Sequence, residues 1–194
     1  MHLVSYYSVL LLVLFSYLSF VSGKERNLGG SGDFQRIKIL LSKMKKIYTF
    51  IICLLVPQLA GILGSIFTAG SVETWYVGVE RSVLTPPNWV FAPVWTLLFF
   101  LMGIALYVVW QQKNLGALVL FAVQLVLNTL WSIIFFGLQD PAFALVEIVV
   151  LWFFILLTTM QFFRVRKVAG LLLVPYVLWV SFAMYLNFIV WYLN

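Results

Sequence analysis

Apolar residues in this chain fall into long unbroken runs, with charged residues confined to the gaps between them. A helix needs about 20 consecutive apolar residues to cross the hydrocarbon core of a bilayer. Five runs reach that length: Ile47–Ala69, Asn88–Trp110, Leu115–Leu138, Pro141–Phe163 and Val168–Leu193. Only the fourth holds an Asp, Glu, Lys or Arg, namely Glu147. Barrel strands would alternate in polarity over about ten residues, and these runs do not. Helices are the remaining way to satisfy the backbone in lipid. The pattern predicts an all-α integral membrane protein, a bundle of five transmembrane helices. The gaps Gln111–Asn114, Gly137–Asp140 and Arg164–Lys167 are short enough to place successive helices side by side. Gly70–Pro87 is the one long loop.

Composition agrees with lipid as the solvent. The 194 residues are 64% hydrophobic and 9% charged, with mean hydropathy +1.08. Soluble domains carry roughly 25% charged residues. The net charge of +6 is a topology signal, because basic residues collect on the cytoplasmic side of spans. Lys43, Lys45, Lys46, Lys113, Arg164, Arg166 and Lys167 flank one side, and Arg81 stands on the other with Glu73, Glu80 and Asp140. This predicts a cytoplasmic N-terminus for the five-helix domain and an outside C-terminus. Basic residues that flank spans form no single groove-matching patch, which argues against nucleic acid as a partner.

Residues 1–43 form an N-terminal extension ahead of a 44–194 membrane domain. It contains a sixth uncharged run, Leu3–Gly23, and a basic linker. The first reading is that the working protein starts at Met44, where Met-Lys-Lys precedes an apolar run. An extra span with its N-terminus outside comes second. A signal peptide comes last, because Met1-His2 supplies no positive leader region.

Several kinds of chemistry lack parts. The only histidine is His2 and the only cysteine is Cys53, so no His/Cys metal cluster or His-based nucleophile system can be assembled. No glycine-rich phosphate loop occurs. No cofactor is required by what remains. Aromatic residues are abundant instead, with 8 Trp, 9 Tyr and 18 Phe. Trp75, Tyr76, Trp89, Trp110, Trp191 and Tyr192 lie near run ends, as interface belts do. Trp95, Trp131 and Trp179 lie deeper. At helical spacing Phe91, Trp95, Leu98 and Met102 share a face, as do Asn128, Trp131 and Phe135, and Trp179, Ala183, Leu186 and Val190. On spacing alone such stripes are ordinary helix packing. The small residues Ala60, Gly61, Gly64 and Ser65 give the first span a flat face suited to close helix contact.

From Trp75 to Trp110 the chain runs WYVGVERSVLTPPNWVFAPVWTLLFFLMGIALYVVW. With LNTLWSIIFFGLQ at Leu127–Gln139, ALVEIVVLW at Ala144–Trp152 and PYVLWVSFAMYLNFIVWYLN at Pro175–Asn194, it resembles the TspO/MBR family of tryptophan-rich sensory and translocator proteins. The resemblance covers Met44–Asn194. It departs in the loop, where the family usually has Lys-Pro and this chain has Arg81-Ser82. It departs again at Asn187–Asn194, which has no basic residue to complete the proposed cholesterol motif of animal members.

The resemblance implies a pocket inside the bundle that binds porphyrins, haem-type tetrapyrroles among them, and other flat hydrophobic molecules. Trp95, Asn128, Trp131, Trp179, Ala183 and Leu186 match its lining. Phe91 shares the Trp95 face, and Ala92 and Ala183 leave room for a large flat ring. Asn128 either donates to a ring substituent or bonds to a neighbouring helix. Glu147, the ionisable residue within a span, either makes a capping or inter-helix hydrogen bond or contacts ligand. The expected function is a membrane receptor or sensor. The alternatives are light- and oxygen-dependent porphyrin breakdown carried by Trp95 and Trp179, and transport of tetrapyrroles or lipids. Membrane lipid is the expected surrounding partner, and a homodimer is implied by the resemblance alone.

Overall fold

The computed structural model describes residues 31–194. The readings of Leu3–Gly23 lie outside the described residues. The chain divides into residues 1–47 and residues 48–194. The described part of the first unit is the opening stretch of a helix, with Ile39, Leu40 and Ile47 exposed. The second unit is the helical bundle.

Every described element is helical: α1 Ser31–Glu73, α2 Asn88–Trp110, α3 Leu115–Ser132 continued by a π-helical turn Ile133–Gly137, α4 Pro141–Val165 and α5 Lys167–Leu193. Five helices are long and apolar enough to cross a membrane. The chain is a multi-pass integral membrane protein. The predicted spans match α2 end for end. They fall short on α1, whose helix begins at Ser31 and reaches Glu73. No residue there stops the helix: the segment before Ile47 is rich in Lys, Arg, Leu and Ile, which favour helix whether or not lipid surrounds them.

Helix boundaries follow local chemistry. Pro86 and Pro87 hold the backbone extended, with Pro87 at ψ 143°, and α2 starts one residue later. Lys113 turns the chain in the left-handed region at φ 52°, and the Asn114 side chain then accepts from Ala117 N–H at 3.0 Å. Asp140 caps α4 in the same way, accepting from Phe143 N–H at 2.9 Å, with Pro141 in the first turn. The turn expected at Arg164–Lys167 is shorter. A single extended residue, Arg166 at φ −155°, separates α4 from α5.

Away from the Gly70–Pro87 loop the bundle is densely filled. Met102, Ala105, Val109, Ala117, Leu151, Ile155, Phe162 and Leu173 are buried, and Phe121 stacks on Phe162 with centroids 5.8 Å apart. Gly103 is where α2 meets α1 closely. A Cβ at that position would lie 2.8 Å from Leu54 Cα and 2.9 Å from Cys53 O, so any side chain would push the backbones apart.

Candidate functional site

Toward the loop end the same helices spread around a cavity of about 360 Å³, within the range of small-molecule sites. From α2 it is lined by Asn88, Phe91, Ala92, Trp95, Thr96 and Phe99, and from α5 by Trp179, Ala183, Leu186, Asn187 and Val190. From α3 and its π turn come Asn128, Trp131, Ser132, Phe135 and Phe136. From α1 come Gln58, Ala60, Gly61, Gly64, Ser65 and Thr68, and Tyr76 reaches in from the loop. No α4 residue takes part.

Thus Phe91, Ala92, Trp95, Asn128, Trp131, Trp179, Ala183 and Leu186 come together around one space. Glu147 does not. It shares an α4 face with Ala144, Ile148 and Leu151, all buried, and none of these four residues lines the cavity. Among the described residues neither of its carboxylate oxygens has a hydrogen-bond partner, so the expected inter-helix bond is not made.

The aromatic groups meet at angles. Trp95 stacks on Phe99 with centroids at 5.5 Å and 28° between planes, and Trp131 stacks on Phe135 at 5.1 Å and 24°. Phe91 meets Trp179 edge-on at 5.9 Å. Polar groups fix these rings. Trp131 Nε1 donates to Asn187 Oδ1 at 3.0 Å, and Asn187 Nδ2 donates to Pro141 O at 2.8 Å. Asn128 Nδ2 donates to the Tyr176 hydroxyl at 3.0 Å, which donates onward to Gln124 Oε1 at 3.0 Å. This buried relay runs from Asn128 in the cavity lining into the bundle, and it gives Asn128 the inter-helix bond. Trp179 Nε1 has no partner among the described residues.

The α1 wall is stitched to its neighbours. Ser132 Oγ donates to Gly64 O at 3.0 Å and lies 2.8 Å from Thr68 Oγ1. Gln58 Nε2 donates to Thr96 O at 3.2 Å. Leu63, outside this wall, is exposed, as a lipid-facing surface allows. A Cβ on Gly61 would run into the Phe99 ring, so the small residues expected to serve helix contact also shape the wall.

Tyr76 departs from its expected place in an interface belt. It is 7% exposed, edge-on to Phe136 at 5.7 Å, because the loop folds back over the cavity. Trp89, Trp191 and Tyr192 stay exposed. Burial pushes the Tyr76 phenol above its ordinary range, and the Arg81 guanidinium partly offsets this. The π turn makes the other difference. Leu138 N–H bonds to Ile133 O at 2.8 Å, a five-residue step that widens the coil, and the consecutive residues Phe135 and Phe136 both line the cavity.

Fold and site together define a five-span helical membrane protein with an aromatic cavity at one end of the bundle. The TspO/MBR family model matches residues 53–193, and the chain belongs to that family. It is 50% identical over 137 residues to the tryptophan-rich protein TspO of Archaeoglobus fulgidus, covering 69% of this chain and 89% of that one. It is 47% identical over 155 residues to the tryptophan-rich protein TspO of Chlorobaculum tepidum, covering 77% and 98%. The human translocator protein is 36% identical over 143 residues, covering 71% and 85%.

Proposed function

We propose that this protein is a membrane receptor or sensor that binds porphyrins and other flat hydrophobic molecules in the aromatic cavity. The observation that supports this is the gathering of Trp95, Trp131 and Trp179 around one space of about 360 Å³. Indole faces offer a planar macrocycle large apolar contact, each aromatic pairing adding about 0.5–1.5 kcal/mol beyond its buried area. Ala92 and Ala183 keep the walls thin where such a ring would enter. Relatives carry the names tryptophan-rich sensory protein and translocator protein, which fit a ligand-responsive membrane protein.

In the bilayer, the end bearing Lys113, Arg164, Arg166 and Lys167 faces the cytoplasm, and the cavity end faces outward. A reporter fused after Asn194 should be inactive in the cytoplasm. The binding reading is tested by titrating purified protein with porphyrin in the dark and in light. Saturable binding in the dark with unchanged porphyrin absorbance is expected. Absorbance lost only in light would move the function to breakdown, and no saturable binding would contradict the proposal.

A further inference from the structure

The first helix is longer than a membrane crossing requires. It has 43 residues, about twice what a span needs, and the stretch before Ile47 precedes the family match that begins at residue 53. Between Gln35 and Ile47 the residues sort by helix face. At roughly 100° per residue, Ile37, Leu40, Leu41, Met44 and Ile47 fall within an arc of about 120°. Arg36, Lys38, Lys43, Lys45 and Lys46 share the rest of the circumference with Gln35, Ile39 and Ser42, and no acidic residue stands among them. Leu40, Met44 and Ile47 are exposed, as are Arg36, Lys38, Lys43 and Lys46.

From Gln35 to Ile47 the helix rises about 20 Å, short of the roughly 30 Å of hydrocarbon. Its positive charges bar the stretch from the bilayer core. An apolar arc opposite a basic face is instead the pattern of a helix at the boundary of headgroups and acyl chains. Lys and Arg stems can lie along the apolar layer while their charged ends stay at the level of the phosphates. Under the topology proposed above, this stretch is cytoplasmic, on the side where the leaflet carries anionic lipid.

We infer that residues 35–47 form a membrane-surface helix that docks on anionic phospholipid headgroups. The inference is independent of the aromatic-cavity reading. It requires a chain that begins ahead of Met44, because a start there removes Ile37, Leu40 and Leu41 together with Arg36, Lys38 and Lys43.

The test uses the full chain with Cys53→Ala, since Cys53 is the only cysteine, and one fluorophore at Met44→Cys or at Ser42→Cys. These positions stand about 160° apart around the helix. Quenching by lipids brominated along their acyl chains is read in phosphatidylcholine bilayers and in an equal mixture with phosphatidylglycerol. In the mixture the Met44→Cys label should be quenched and the Ser42→Cys label should not. Quenching should fall in phosphatidylcholine alone and on adding salt. Lys38→Gln, Lys43→Gln and Lys46→Gln together should lower the ratio of docked to undocked helix about a hundredfold, at about fivefold per charge. Equal quenching at the two positions would overturn the inference. So would Met44→Cys quenching that ignores both lipid charge and the three substitutions. A Met44→Cys label unquenched in bilayers, yet shielded in detergent as protein concentration rises, would overturn it too and give the apolar face to a second copy.

Discussion

Along α2, α3 and α5 the inward-facing side chains change character partway. At the end away from the Gly70–Pro87 loop, Met102, Val109, Phe121, Ala169 and Leu173 are buried against one another. At the loop end the same helices present Trp95, Trp131 and Trp179 to an open space. Between the two lies the Asn128–Tyr176–Gln124 relay. One end has side chains that fill the space between helices, and the other has rings whose faces are left partly uncovered. Lipid rewards neither end for hiding apolar groups, so the filled end depends on close packing and hydrogen bonds. The loop end gives up part of that packing, which a flat ligand would restore under the function proposed above.

Several substitutions would break or sharpen this contrast. Phe162→Ala removes a fully buried ring from the filled end. It should lower stability by about 3 kcal/mol, the low end for such a truncation because lipid softens the transfer cost. A thermal melt in detergent checks this, and porphyrin affinity per folded molecule should hold. Tyr176→Phe takes the hydroxyl out of the relay and leaves two buried amide groups without that partner. It should cost about 2 kcal/mol in stability and also weaken binding, because Asn128 loses its anchor. An unchanged melting temperature would mean the relay holds nothing. Trp179→Phe should leave stability nearly intact and weaken porphyrin binding by about 1 kcal/mol, read from a dark titration. Glu147→Gln should leave porphyrin affinity unchanged, since that side chain lies outside the cavity. A clear loss of affinity would return Glu147 to the site.

Much of this division was legible in the sequence. Uncharged runs of span length and their short gaps specify five helices, because length and polarity alone decide what crosses lipid. Stripes such as Trp179, Ala183, Leu186 and Val190 mark one face by helical spacing, and the family resemblance said which stripes meet. The resemblance also brought Asn128 to the cavity. Less legible were groups placed by irregular backbone. Phe136 joins Phe135 through a π turn that hydrophobic periodicity does not encode, and Tyr76 is buried because the loop folds back. Asn187 carried a signal that went unused: it is a polar residue inside an uncharged run, four residues after Ala183 and on the same stripe. For Glu147 the sequence left a hydrogen bond and ligand contact both open, because only the helix face that an ionisable group occupies tells packing from cavity.

The central claim is that the loop-end aromatic residues surround a ligand and the surface ones do not. Tryptophan fluorescence tests it most directly, with porphyrin added in the dark to wild type, Trp95→Phe and Trp191→Phe. Trp95 lines the cavity, whereas Trp191 is 46% exposed. Porphyrin should quench wild-type emission saturably. Trp191→Phe should keep the wild-type affinity, and Trp95→Phe should bind about fivefold more weakly, in keeping with one lost stacking contact. Equal affinities for the two variants would mean that these aromatic stripes are packing alone.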